Sequence, residues 1–424
     1  MEQLFQLIKE ASSPYHTVLA AERRLSESGF CRLSMAEAWE LKPMGKYYVK
    51  HRDSSLFAFT LGEDWEGDVP VRIAAAHTDF PGLYIKADPQ MEKSGYLQLN
   101  VEVYGGAILN TWLDRPLSAA GKVALRSAQV MKPEIRFLDI REPFCTIPNL
   151  AIHMNREVNK GVELNRQTDL LPIAGLKSEL SDKGRFQKFL AEQLSVKPED
   201  ILDFDLYLYS AEDPVCIGMD KEFISAPHLD NTTGIYALLQ GICGPVRPHG
   251  INMAAMFDHE EIGSRTAQGA ASMQLYNLLD KIVKCIPGGK EPREILYDSM
   301  LLSVDVAHAL HPNHPEKADP VLAPVMGAGF CIKEACSQSY ATDCRAIAAV
   351  MQLCENGRIP YQKYANRSNI PGGGTLGSIA SSFLPIAIAD IGVPILAMHS
   401  VREMMGSADM DTLERVINAF FQVR

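Results

Sequence analysis

Five short apolar runs of this 424-residue chain end in side chains that can bind a metal or move a proton. "AAAHTDFPG" supplies His77 and Asp79, "APHLDNTTG" supplies Asp230, and "FDHEEIGS" supplies Glu260 and Glu261. "LSVDVAHALHPNH" supplies Asp305, and "LAMHSVRE" supplies His399. Adjacent carboxylates at the end of a buried strand repel each other and lose solvation, so a cation is needed beside them. One His and two Asp can hold a first ion. A Glu and a second His, sharing one of those Asp residues, can hold a second. Imidazole with carboxylate suits zinc and leaves coordination positions open for water.

The two glutamates call for different roles. Neighbours on an extended segment point to opposite sides, so both are not expected on one ion. One ligates; the other takes a proton from water activated by the ion and later passes it to a leaving amine. Asp79, two residues after His77, is spaced to hydrogen-bond the second imidazole nitrogen and so to orient the ring.

Two further patterns have simpler readings. "GGGTLG" matches G-x-G-x-x-G but follows "NRSNIP" rather than a clear strand, so a dinucleotide fingerprint is not supported. A glycine turn opening a helix fits better, with backbone N–H groups, Gly373 among them, facing the site. His308, His311 and His314 are close in sequence, but Pro312 and Pro315 break any helix that would align them. Structural or substrate-edge roles are expected there, with His308 the substrate-side candidate. Serine hydrolase chemistry finds no G-x-S-x-G.

The elements that must position these residues alternate. "VRIAAA", "INMAAMF", "MLLSV" and "VPILAM" read as strands; residues 232–242 and 343–356 read as helices. This predicts an α/β fold with a mainly parallel sheet between helices, and ligands bind beyond the carboxyl ends of such strands. The middle of the chain is β-rich, with "GYLQLNVEVYGGAI", "GKVALRS" and "DFDLYLYS" around the polar residues 154–169. The expected division is a discontinuous catalytic domain, residues 1–88 and 212–424, with a second domain, residues 89–211, inserted in it.

The bulk numbers narrow the class. A net charge of −11 argues against nucleic acid as the main partner. Nine scattered cysteines without a CxxC pair fit neither a disulfide framework nor a zinc ribbon, and point to reduced thiols in the cytoplasm. "MEQLFQLIKEASSP" lacks the marks of a signal peptide and reads as an amphipathic helix. No apolar run approaches the ~18 residues of a membrane span.

Taken in order, "SPYHT", "AAHTDFPGLYIK", "VEVYGGAILNTWLDRPLSAAGKV", "IPNLAIHMNREVN", "APHLDNTTG", "FDHEEIGSRTAQGA", "SVDVAHALHPNH", "SYATD" and "MHSVREMMGSADM" resemble the M18 aminopeptidases, the aspartyl aminopeptidase family of clan MH metallopeptidases. The matching pieces span nearly the whole length. The resemblance implies a clan MH zinc-peptidase domain with an inserted dimerisation domain, assembled as a tetrahedral dodecamer. It implies two zinc ions per subunit, with cobalt or manganese able to substitute. His77, Asp230 and Asp305 would hold one ion, and Asp230, Glu261 and His399 the other. Glu260 would be the general base.

The resemblance also implies that Lys333 meets an acidic side chain of the substrate's first residue, although "CIKEACSQSYATD" departs from the segment of eukaryotic members. His153, in the inserted domain, would reach a partner subunit's site and donate a hydrogen bond to the oxyanion there. The expected activity is removal of N-terminal residues from peptides, with a preference for Asp or Glu. The alternatives are another dizinc amide hydrolase of the clan, a deacylase or carboxypeptidase, and a catalytically silent shell or scaffold protein.

Overall fold

A computed structural model describes residues 1–65, 70–177, 184–286 and 291–423. The chain divides into two compact units. The first comprises Met1–Asp79, Pro214–Met398 and Glu403–Arg424; the second comprises Phe80–Asp213 and His399–Arg402.

The first unit is built on a nine-stranded mixed sheet. Its order is Cys31–Leu33, Lys46–His51, Ser55–Leu61, Ile251–Phe257, Val71–His77, Met300–Val304, Ala387–Gly392, Phe330–Glu334 and Tyr361–Ala365. The four central strands, Ile251–Phe257 through Ala387–Gly392, run parallel. Their sequences are near-continuous apolar runs because helices cover both faces: Ile251–Phe257 and Met300–Val304 are buried at every residue. Two separate apolar clusters result, one with Leu4, Leu238 and Phe420, the other with Phe57, Leu278 and Leu376.

The predicted helices form. Glu2–Glu10 buries Leu4, Leu7 and Ile8. Leu229–Ile242 is buried almost throughout, as a helix between sheet and outer layer must be. Cys344–Gly357 starts at Asp343, whose side chain accepts the N–H groups of Arg345 and Ala346 and so satisfies two donors the helix itself leaves open. The glycine stretch ends in the short helix Leu376–Ala380. A smaller five-stranded sheet in this unit contains Ala307–His308 and Pro394–Leu396. The run "VPILAM" therefore contributes only Pro394–Leu396 as strand, and to this sheet rather than the large one.

The second unit is a six-stranded antiparallel sheet, ordered Glu134–Asp139, Leu117–Leu125, Ile201–Ser210, Gly82–Lys93, Tyr96–Tyr104 and Ile173–Leu176. Leu97, Leu99 and Val101 alternate inward along Tyr96–Tyr104, the period-2 pattern of a half-buried strand. The inward face joins Phe186, Leu190 and Ala191 of helix Arg185–Leu194 in one apolar cluster. Residues 154–169 carry no strand and are largely exposed. Among the described residues, no helix is long and apolar enough to cross a membrane.

Candidate metal centre

His77 is the last residue of its strand and is almost fully buried. Its Nδ1 lies 2.9 Å from the backbone carbonyl of Asp79 and 3.4 Å from that residue's Oδ1. A carbonyl can only accept, so Nδ1 carries a proton. Nε2 faces acids: it is 3.2 Å from Asp230 Oδ1 and 3.7 Å from Asp305 Oδ1. One donor atom from each of His77, Asp230 and Asp305 lies within 4.8 Å of the other two. Asp79 thus orients the imidazole chiefly through its backbone carbonyl, not the carboxylate that the spacing suggested.

The Asp79 carboxylate does something else. It accepts the backbone N–H of Glu260 and that of Glu261, each at 3.1 Å. These glutamates sit on a 3₁₀ turn, Glu260–Ile262, entered at His259 with φ 62° and left at Gly263 with φ 94°. Here the sequence expectation needs correction. The segment is tightly turned rather than extended, so the two side chains do not diverge. A donor atom from each of Glu260 and Glu261 lies within 4.8 Å of one on His77. Their division into ligand and base rests on other grounds than opposite directions.

Asp230 and Asp305 are held by backbone. Asp230 donates its N–H to Glu403 Oε2 at 3.0 Å. Asn231 next to it donates from Nδ2 to the Val304 carbonyl at 2.7 Å, tying the start of that helix to the strand that delivers Asp305. The Asp305 carboxylate accepts the N–H of Val306 at 2.7 Å. Lys333, almost fully buried, donates to the Val306 carbonyl at 3.1 Å and lies 3.9 Å from Asp305 Oδ2.

The electrostatics follow from this crowding. Burial, with Asp305, Asp79 and Asp230 nearby, pushes the Glu260 carboxyl up to about 8. Burial and Asp230 raise Glu261 well above the carboxylate range. Burial, then Asp79, raises Asp258 to about 8. Burial disfavours the His77 cation, but hydrogen bonds to Asp230, Asp305 and Asp79 outweigh it and raise its pKa. A group of acids that cannot all ionise side by side, around an imidazole whose Nε2 is turned toward them, fits a divalent cation. The donor chemistry, one nitrogen with several carboxylate oxygens, is that of zinc sites with open positions.

The remaining candidates are His399, His153, His308 and Gly373. His399 belongs to the second unit, in the short segment His399–Arg402; its Nδ1 is 3.2 Å from the Gly106 carbonyl. His153, also in the second unit, is exposed. His308 is exposed on its two-residue strand, 6.2 Å ring to ring from Tyr364. Gly373 precedes helix Leu376–Ala380 and has open space where a Cβ would stand.

The family model of the aminopeptidase I zinc metalloproteases (M18) matches residues 7–421. The chain belongs to the M18 family. A probable M18 family aminopeptidase 2 of Clostridium acetobutylicum is 41% identical over 100% of this chain and 98% of its own. Aspartyl aminopeptidase 4 of Saccharomyces cerevisiae is 35% identical, covering 99% of this chain and 94% of its own. The cryo-EM structure of the Ape4 and Nbr1 complex contains a chain that superposes with a TM-score of 0.94 at 32% identity, over 99% of this chain and 85% of the other.

Three residues around this M18 centre escaped the sequence reading. Asp390, fully buried, pairs in register with Lys333 across neighbouring strands and accepts the Ala341 N–H. Glu403 anchors Asp230. Tyr340 lies beneath the Lys333 ammonium, 4.9 Å from ring centre to Nζ. The signal was present for Asp390: one acid inside the otherwise apolar strand "AIADIG" requires a buried partner.

Proposed function

We propose that this M18 protein is a dizinc aminopeptidase that removes N-terminal residues from peptides. The observation that carries the reading is the His77 imidazole. Its Nδ1 is fixed on Asp79, and its Nε2 lies 3.2 and 3.7 Å from the carboxylates of Asp230 and Asp305. His77, Asp230 and Asp305 hold one zinc. Asp230, Glu261 and His399 would hold the second, the ligand set that the sequence resemblance implies. Cobalt and manganese, which accept the same donors, are expected to substitute. Bound zinc supplies Lewis acidity toward the substrate carbonyl and lowers the pKa of water.

The remaining steps belong to the chain. Glu260 takes the proton from the attacking water and returns it to the leaving amine. A carboxylate can perform that double task. Asp79 holds the turn on which Glu260 and Glu261 stand. The acidic preference is part of the same proposal, supported by Lys333, a buried cation beside Asp305. Gly373 and His308 are assigned to the substrate edge.

The second unit is proposed as the inserted dimerisation domain of a homo-oligomer, a tetrahedral dodecamer, working in the cytoplasm. Its exposed apolar side chains Leu150, Ile152, Met154 and Val162 support an interface role. His153 stands among them and is proposed to act in a partner subunit.

A panel of aminoacyl anilides, free and N-acetylated, tests the reading. Hydrolysis should require zinc and a free amine. Cleavage of the blocked substrates would instead favour another dizinc amide hydrolase of the clan, and faster cleavage of Leu and Ala than of Asp and Glu would remove the acidic preference.

A further inference from the structure

A cavity of about 460 Å³ lies in the first unit, with His308 in its wall. Its size falls in the range of small-ligand pockets. Its walls carry cationic and hydrogen-bonding side chains: His308, His311, His314, Lys317 and Arg367, with Asp319 the one acid. Among the described residues, neither Lys317 nor Arg367 reaches a carboxylate within 4.0 Å. Arg367 is half-buried, and its Nε donates to Asn369 Oδ1 at 2.9 Å, which leaves its terminal nitrogens for another acceptor. His311 Nδ1 accepts the backbone N–H of Asn313 at 3.2 Å, so the ring's proton sits on Nε2 as a donor. Asp319 Oδ1 accepts the N–H groups of Val321 and Leu322, both at 2.9 Å, and these bonds, with the Arg367 charge, hold its carboxyl below the usual range.

The position relative to the chemistry is fixed by the chain. His308 follows Asp305 by three residues, so its Cα is at most about 10 Å away. Each residue of an extended peptide covers about 3.5 Å, so the cavity begins within two or three residues of the scissile bond. A peptide cut behind its first residue extends in one direction only, toward the leaving part.

We propose that this cavity is a subsite for a carboxylate on the leaving part of the substrate, either an acidic side chain or a free C-terminus, bound by Arg367, Lys317 and the His311 ring. This rests on the aminopeptidase reading above for its direction along the peptide.

The test is calorimetry on the full-length Glu260→Gln protein, which holds peptides without cutting them. Three tripeptides share one first residue: X-Ala-Ala-amide, X-Ala-Ala with a free C-terminus, and X-Asp-Ala-amide. At least one carboxylate peptide should bind about fivefold more tightly than the first. Which one does so identifies the source. Adding Arg367→Gln and Lys317→Gln should bring the ratio to within about twofold, and 0.5 M NaCl should do the same to the protein that keeps both cations. A thermal melt checks that the variant is folded; the salt result does not depend on it. Equal binding of the three peptides, or a ratio that survives both the substitutions and the salt, overturns the subsite. Absence of anilide hydrolysis by the unmodified protein would overturn the aminopeptidase reading alone, because the binding ratio would still be measured.

Discussion

Asp79 accepts the backbone N–H of Glu260 with one carboxylate oxygen and that of Glu261 with the other, both at 3.1 Å. The residue that steadies the His77 ring through its carbonyl therefore also sets the turn bearing the proposed base, Glu260, and the proposed ligand, Glu261. Asn at position 79 keeps the shape but replaces one acceptor by an NH₂ that faces a backbone N–H. Asp79→Asn should lower zinc affinity and kcat/KM by about 10- to 100-fold each. It should also cost about 1–3 kcal/mol of stability for the donor left without an acceptor. Zinc titration against a chelator, steady-state kinetics and chemical denaturation read the three effects. Unchanged zinc affinity would show that the turn holds itself.

Glu260 and Glu261 are adjacent and similarly placed, so only substitution separates base from ligand. Glu260→Gln should keep both metals and lose several orders of magnitude in rate. His399→Ala should lose one metal per subunit. Mass-spectrometric metal analysis beside kinetics decides, and turnover near the unmodified rate in Glu260→Gln would remove it as the base.

Three of the nine strands of the large sheet, Val71–His77, Ile251–Phe257 and Met300–Val304, were legible because these central parallel strands are buried on both faces and so are written as apolar runs. The ends of those runs gave His77, Glu260, Glu261 and Asp305. The turn at Glu260 was not legible: periodicity says nothing about φ 62° at His259, and only the following Gly263 hinted at a tight turn. The smaller sheet was missed for a related reason. Pro394–Leu396 has the composition of a core strand, and pairing partners depend on the rest of the fold. Glu403 was invisible because a single acid in "VREMMG" reads as an edge residue until its Asp230 partner is known.

Lys333 lies between Asp305 and Asp390 with its ammonium over Tyr340. Burial alone would lower its pKa, but those two carboxylates reverse the shift and raise it. Lys333→Met keeps the length and removes the charge, leaving two buried acids without their cation. The expected loss is about 3–5 kcal/mol, read by urea unfolding, together with loss of any Asp or Glu preference in the anilide panel. A stable variant that still prefers acidic substrates would place Lys333 outside both roles.

Asp409 gives a pH dependence away from the metal centre. Burial raises its carboxyl to about 6, although Gly327 and Gly329 donate backbone N–H groups to it at 2.7 and 2.9 Å. The folded pKa lies above the unfolded value, so between about pH 4 and 6 the native state binds the extra proton. Stability from this group is highest at the acid end and falls as pH rises through about 6. The unfolding free energy of the unmodified protein relative to Asp409→Asn should thus decline by on the order of 1–2 kcal/mol from pH 4.5 to pH 7.5. A difference that grows with pH would mean that the backbone donors of Gly327, Gly329 and Gly406, not burial, dominate.

His153 is exposed on a segment whose apolar neighbours Leu150, Ile152 and Met154 are exposed as well. Burying those side chains in an interface would carry His153 toward a partner subunit. If it donates a hydrogen bond to the oxyanion there, His153→Ala should cost about 10²–10³ in kcat. The decisive experiment mixes two defective chains by co-expression. His153→Ala subunits keep their own Glu260 but bring no donor. Glu260→Gln subunits have a dead site but can lend His153. Mixed oligomers should regain activity that neither variant has alone, because some sites then combine an intact Glu260 with a neighbour's His153. Mixed assembly confirmed by differential tagging, with activity no higher than in the single variants, would mean that His153 does not act across the interface.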